Sequence, residues 1–326
     1  MTELEKALIE KAKDLLEKGE VKRVVGWTKG EFAYDPSPAT FESAEELENF
    51  VYDDFCGANL SKYLVKIAKK EGKTAVFMKP CDTYSFNELL SEHRIKREMV
   101  YVIGIECYGK ADVEKLTAMG LSGITGIVMK NGEYTVETVY GNKTVKAADV
   151  TADRCLACKS KKHVVYDELI GADGEWVEDC NRFDTVEKLE AMTPDERYAF
   201  WQNELSRCIR CNACRNVCPA CTCEQCVFDN PNSGVAQKAA VNSFEESMFH
   251  IIRAFHVAGR CTDCGECSRV CPQHIPLHLL NRKFILDINR FYGDYQAGAD
   301  TETKPPLGTY RQNDIEPGAA VGGGKQ

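Results

Sequence analysis

No stretch of this 326-residue chain is apolar for long enough to cross a bilayer. Runs such as Met99–Ile105 fall far short of the roughly twenty residues that a spanning helix needs. The start of the chain lacks the basic opening, apolar run and small-residue cleavage site of an export leader. Cationic excess is missing too: Lys and Arg number 41 against 50 for Asp and Glu, a formal charge of −9. An acidic protein gains nothing from counterion release on nucleic acid and is repelled by an anionic membrane surface. Nucleic acid and membrane are therefore discounted as partners, and a cytoplasmic location is expected. The GxGxxG dinucleotide fingerprint is also absent. Gly120, Gly123 and Gly126 could approach a phosphate, but glycines so spaced more often serve turns.

What is present is enough apolar sequence, 44%, for two or three buried cores. An amphipathic helix opens the chain, with Thr2 and Glu5 as its capping box and Leu4, Leu8, Leu15 and Leu16 as its apolar face. Short apolar runs then alternate with helical segments. Strands are expected at Val21–Trp27, Thr74–Met78 and Met99–Ile105. Helices are expected from Ser43 with Glu46, over Leu60–Lys70, over Tyr84–Ile95 and over Val113–Met119. Such alternation argues for an α/β domain with a mostly parallel sheet. Asn131-Gly132 inside Gly126–Tyr140 adds an antiparallel hairpin.

Domain boundaries follow from these patterns. Residues 1–158 form the α/β domain, and 159–192 are a polar linker with local structure. Residues 193–292 are α-rich, with helix starts at Thr193-Pro194-Asp195-Glu196 and at Ser243 with Glu246. The second of these helices carries Met248, Ile251, Ile252 and Phe255. Residues 293–326 read as a flexible tail.

Seventeen cysteines decide the chemistry. Thiols crowded into a long chain with no export leader are metal ligands more plausibly than disulfides. Cys208, Cys211, Cys214 and Cys218 form C-x2-C-x2-C-x3-C followed by Pro219. Cys261, Cys264, Cys267 and Cys271 repeat it, followed by Pro272. In the bacterial two-cluster ferredoxin run, three close thiolates hold one cubane and the fourth crosses to the other. Cys208, Cys211, Cys214 and Cys271 are thus expected to hold one [4Fe–4S] cluster, and Cys218, Cys261, Cys264 and Cys267 a second. Zinc accounts for tetrahedral thiolate sites but not for two copies of this spacing.

Cys81 and Cys107 each follow an expected strand. If those strands lie parallel in one sheet, both thiols emerge at its C-terminal edge, where α/β folds place ligands. With the Cys155/Cys158 pair they make four ligands for a third cluster; the bland alternative is a pair of buried structural thiols. Cys221, Cys223 and Cys226, completed by Cys180 or by Cys56, leave open a fourth cluster, a mononuclear zinc or a structural role. His274 and His278 are candidates for tuning a cluster through hydrogen bonds to sulfur. The basic run Lys159–Lys162 is either solvated or a dock for an acidic redox partner such as a soluble ferredoxin.

Lys79-Pro80-Cys81-Asp82, the segment Gly104-Ile105-Glu106-Cys107-Tyr108-Gly109 and the Cys155/Cys158 pair resemble the beta-subunit family of deazaflavin-coenzyme-reducing hydrogenases and formate dehydrogenases. The segment from Phe200-Trp201 through Cys226 is similar to iron–sulfur subunits of hydrogenases, formate dehydrogenases and heterodisulfide-reductase-like complexes. The resemblance spans residues 20–280. It implies an electron-transfer subunit of a multi-subunit oxidoreductase in anaerobic metabolism, with partner subunits of those kinds. Members often carry FAD, but the α/β part here ends near residue 180, short for a full flavin and deazaflavin site. A flavin is therefore not favoured. Whether the chain itself converts a substrate, or senses redox state instead, stays open at this level.

Overall fold

The computed structural model describes residues 2–159, 161–175, 180–230 and 243–308. The first helix, α1 (Glu3–Glu17), starts where the Glu5 amide donates to Thr2 Oγ1 at 3.1 Å, and it buries Leu8, Ala12 and Leu15. The Glu5 carboxylate does not complete the expected box; it accepts from the Tyr52 amide at 3.3 Å. β1 (Arg23–Thr28) and β2 (Ser37–Phe41) form an antiparallel pair. The helix expected at Ser43 is only a single 3-10 turn over Glu46–Asn49. The Glu46 carboxylate accepts from the Glu42 amide at 2.7 Å, which takes it away from a cap at Ser43.

Next come α2 (Ser61–Ile67) and the wholly buried strand β3 (Thr74–Met78). α3 (Pro80–Ser91) begins four residues ahead of the expected Tyr84. Proline is favourable in a first turn, and the Asp82 carboxylate accepts from the Lys79 amide at 3.2 Å. β4 (Val100–Ile105) and α4 (Val113–Ala118) follow. β5 (Ile124–Lys130), β6 (Glu133–Thr138) and β7 (Lys143–Lys146) then make a separate antiparallel sheet. Asn131 and Gly132 both have positive φ, 52° and 79°, as a type I′ hairpin requires. α5 (Ala147–Val150), α6 (Asp153–Leu156) and β8 (Glu168–Ile170) close the first part.

The main sheet has the order β2-β1-β3-β4-β8, and every pairing beyond β2 is parallel. β8 lies inside the stretch read as a linker. Because β3 and β4 are adjacent and parallel, the segments after Met78 and Ile105 leave the sheet at the same edge. The expected α/β domain with mostly parallel sheet and added hairpin is borne out.

The C-terminal part is helical: α7 (Asp184–Ala191), α8 (Pro194–Ser206), α9 (Ala213–Asn216), α10 (Ser243–His256), α11 (Glu266–Arg269) and α12 (His278–Tyr292). Thr193 and Glu196 cap α8 reciprocally, as their spacing implies. Leu205, Phe228, Phe249, Ile275 and Leu277 form the core around Cys214 and Cys267. α10 contributes Phe249 and Ile252 to this core, but Phe244, Met248, Ile251 and Phe255 are exposed, while Glu246, His250 and Arg253 are buried. Residues 293–308 run back along α3, where Asn87 Nδ2 donates to the Gly298 carbonyl at 3.1 Å. The rest of the expected tail, 309–326, lies outside the described residues. Among the described residues no helix is long and apolar enough to cross a membrane.

Candidate metal centres

The two cysteine runs have one backbone design. In the first, Arg210 (φ 54°) and Asn212 (φ 62°) flank Cys211; in the second, Asp263 (φ 59°) and Gly265 (φ 69°) flank Cys264 at the equivalent positions. Paired left-handed residues reverse the chain on both sides of the middle cysteine and turn successive thiols toward one centre. A short helix then starts at the same place in each run, α9 after Asn212 and α11 after Gly265. The Arg210 amide, freed by this turn, donates to Cys208 Sγ at 3.4 Å.

Cys208, Cys211, Cys214 and Cys271 line one cavity together with Phe249, His250, Ile275 and Leu277. The fourth thiol thus arrives from the other run. The converse holds for Cys218, which lies within electrostatic reach of Cys261, Cys264 and Cys267. Burial pushes the Cys214 and Cys261 thiols up to about 12 and Cys267 up to about 11. Buried thiols of this kind hold their protons unless a cation replaces them, so metal uptake at these positions releases protons.

Cys81, in the first turn of α3, and Cys107, just past β4, stand at the shared sheet edge. With Cys155 on α6 and Cys158 after it, they line a second cavity. Its wall is strongly cationic: Lys79, Lys110, Arg154 and Lys159 all contribute. Each cation is held in place. Lys79 Nζ donates to the Ala58 carbonyl at 2.7 Å and to Asp82 at 2.8 Å. Lys110 Nζ donates to the Asp53 carbonyl at 2.9 Å, and Lys159 Nζ to that of Thr262 at 2.5 Å. A cubane carried by four thiolates is a polyanion, and such a wall offsets its charge. Lys159 is therefore a buried wall residue rather than a surface docking charge.

Both cavities are ringed by thiols rather than focused on a point. Among the described residues no three Cys, His, Asp or Glu side chains stand close enough to hold a single metal ion. Four thiols spaced around a cavity suit the corners of a cubane better than one tetrahedral ion.

The remaining thiols are dispersed. A hydrogen bond between Cys218 and Cys221 draws Cys218 below the ordinary thiol range and pushes Cys221 above it. Lys62 Nζ donates to the Cys221 carbonyl. Cys223 is exposed, Cys226 packs at the helical core, and Cys180 lies near Arg282. Cys56 is fully buried in the α/β core, where burial drives its thiol upward, and it reads as a structural thiol.

Among the described residues neither histidine expected near a cluster reaches sulfur. His278 Nδ1 pairs with Ser268 Oγ at 2.9 Å, and His274 is solvent-exposed. His250 does instead: its Nε2 lies 3.2 Å from Cys208 Sγ. Burial, then the Arg253 and Arg210 charges, push this imidazole down to about 3, so it is neutral. Gly120, Gly123 and Gly126 serve a helix stop, a turn and a strand.

Known proteins bear on this geometry. A family described as a 4Fe-4S dicluster domain matches residues 204–275. The chain carries a [4Fe–4S] dicluster domain. Along nine-tenths of its length it is similar to two curated archaeal proteins. One is the F420-dependent formate dehydrogenase subunit beta of Methanocaldococcus jannaschii, 27% identical over 90% of this chain and 92% of that protein. The other is the F420-dependent formate dehydrogenase 1 subunit beta of Methanococcus maripaludis, 27% identical over 91% of both. The resemblance read from the motifs is borne out. A solved F420-reducing [NiFe] hydrogenase complex from Methanosarcina barkeri has a chain that aligns at 14% identity and a TM-score of 0.37, over 63% of this chain and 90% of that one. That likeness is too slight to carry an argument.

Proposed function

We propose that this dicluster protein is the iron–sulfur electron-transfer subunit of a multi-subunit oxidoreductase. It relays electrons between a catalytic partner, of the hydrogenase, formate dehydrogenase or heterodisulfide-reductase-like kind, and an acceptor. Its relatives' names favour formate dehydrogenase as the partner and F420 as the hydride cofactor of the complex. A [4Fe–4S] cluster takes up and gives up single electrons, and the chain offers three thiol sets that would hold three such clusters.

One observation carries the reading. Cys264 and Asp263 of the second run belong to the wall of the Cys81/Cys107/Cys155/Cys158 cavity. Cys218 of the first run in turn lies with the second. The three thiol sets are therefore contiguous, which is the layout of a relay and not of isolated structural staples.

The test is to purify the chain anaerobically and measure iron, sulfide and flavin. Roughly twelve irons per chain, each cluster reducible and no flavin bound, are expected. One tightly bound flavin per chain, together with reduction of a hydride cofactor by the isolated chain, would make it a catalytic subunit instead.

A further inference from the structure

α10 lies in the insert between the two cysteine runs. It turns three polar residues inward along one face, Glu246, His250 and Arg253. Arg253 is only 2% exposed. Among the described residues none of its guanidinium nitrogens, Nε, Nη1 or Nη2, has a hydrogen-bond partner. A guanidinium carries five N–H donors and keeps its charge, so leaving all of them unmet in a buried place is costly.

Other arginines of this region do find partners; the buried Arg210 donates through Nη1 to the Glu245 carbonyl at 3.2 Å. Arg154 meets Glu266 at 2.8 Å, and Arg182 and Arg282 meet Asp263 at 2.7 and 2.9 Å. Among the described residues Arg253 meets no carboxylate. Its charged surroundings are Cys267, Cys214, Cys218 and Cys221. Cys214 belongs to one dicluster set, and Cys218 and Cys267 to the other. The guanidinium therefore lies within electrostatic reach of thiols of both sets.

We propose that the Arg253 guanidinium donates hydrogen bonds to sulfurs of both clusters of the dicluster domain and holds both at a higher reduction potential. Each reduction adds one negative charge to a cluster. A fixed cation with N–H donors on its sulfurs stabilises the reduced form more than the oxidised one. A planar fork holds its donors in fixed, widely separated directions, whereas a lysine ammonium is a compact point charge with rotating donors. Sharing one donor raises both potentials together and leaves the difference between them, which sets the electron exchange, little changed. This inference rests on the reading of the two runs as cluster sites.

The test uses the full chain, purified anaerobically, as wild type, Arg253→Gln and Arg253→Lys. Iron and sulfide are counted first, and midpoint potentials are then read by redox titration followed by electron paramagnetic resonance. In Arg253→Gln two midpoints should fall, each by at least tenfold in the reduction equilibrium, about 59 mV. Arg253→Lys should fall less. If Arg253→Gln carries full iron and no more than one midpoint moves, a shared donor is excluded. If the variant does not load, wild-type chain labelled with 15N in its arginine guanidinium groups decides. Hyperfine coupling from that nitrogen to the reduced clusters is expected, and its absence overturns the proposal. A wild-type chain that binds no iron would overturn the proposed function rather than the role of Arg253.

Discussion

Arg154, the residue before Cys155, donates through Nη1 to Glu266, two residues after Cys264, at 2.8 Å. The same guanidinium reaches the Cys264 carbonyl at 3.1 Å and the Gly57 carbonyl at 3.2 Å. One side chain thus joins the α/β domain, the Cys155/Cys158 pair and the second cysteine run. Glu266 is also gripped by Arg269, at 2.8 and 2.9 Å. Burial disfavours its charge, but Arg269 and Arg154 outweigh that and hold the carboxyl down at about 2. Breaking a buried pair strands the surviving charge, so Glu266→Gln should cost about 3 kcal/mol. Anaerobic denaturant unfolding of the loaded protein reads the loss. A change below about 1 kcal/mol would mean the pair behaves as a solvent-screened one.

Glu88 supplies a pH dependence away from the thiols. Burial, reinforced by the charge of Glu92 one turn on, raises its carboxyl to about 7 from the ordinary 4.5. In the unfolded chain the group ionises near 4.5, so between that pH and about 7 the unfolded state binds fewer protons than the folded one. Stability is fully present below the lower value and falls as pH rises through the upper, by about 3 kcal/mol at most. Glu88→Gln has no proton to lose. Unfolding free energies of the two proteins from about pH 5 to 8 should therefore diverge, with the variant gaining on the wild type. Parallel curves would show that Glu88 ionises normally in the fold.

The two cysteine runs were legible because ligand spacing is covalent: the thiols must be near one another wherever the chain goes. Cys81 and Cys107 were legible through topology, since β3 and β4 are parallel neighbours and share an exit edge. His250 and Arg253 were not. Of the apolar stripe Met248, Ile251, Ile252 and Phe255, only Ile252 packs at the helical core, whereas α10 buries Glu246, His250 and Arg253 beside Phe249. The hydrophobic pattern misleads where an inorganic polyanion stands in for part of the core, because polar donors are then what the interior needs. The available signal was Glu246, His250 and Arg253 at helical spacing inside an insert between two ligand runs. Ser43 with Glu46 failed for a local reason, the competing Glu42 amide.

The cationic cavity at the sheet edge predicts a separable cluster. Cys81→Ser or Cys158→Ser should remove roughly four irons per chain and leave the eight of the dicluster domain, with their midpoints little changed. Cys56→Ser, in a core pocket where the thiol donates to the Val51 carbonyl at 3.6 Å, should leave iron content unaltered. Full iron retention by Cys81→Ser and Cys158→Ser alike would return these thiols to a structural role. Loss of a further four irons in Cys223→Ser, above a wild-type total of roughly sixteen, would establish a cluster at Cys221, Cys223, Cys226 and Cys180.

His250 should tune one cluster only. Its Nε2 approaches Cys208 Sγ at 3.2 Å, and Cys208 shares its cavity with Cys211, Cys214 and Cys271. As a neutral imidazole it must carry its proton on Nε2 to donate to a ligating thiolate, and Nδ1 has no partner to compete for it. A neutral donor stabilises the reduced cluster less than a guanidinium does. His250→Gln, with iron content intact, should lower a single midpoint by roughly threefold in the reduction equilibrium, about 30 mV. His250→Phe, which fills the space with no donor at all, should lower it at least as far. Two shifted midpoints would mean that His250 acts by displacing Arg253, three residues along the same helix. None at all would place the imidazole among the packing residues of α10.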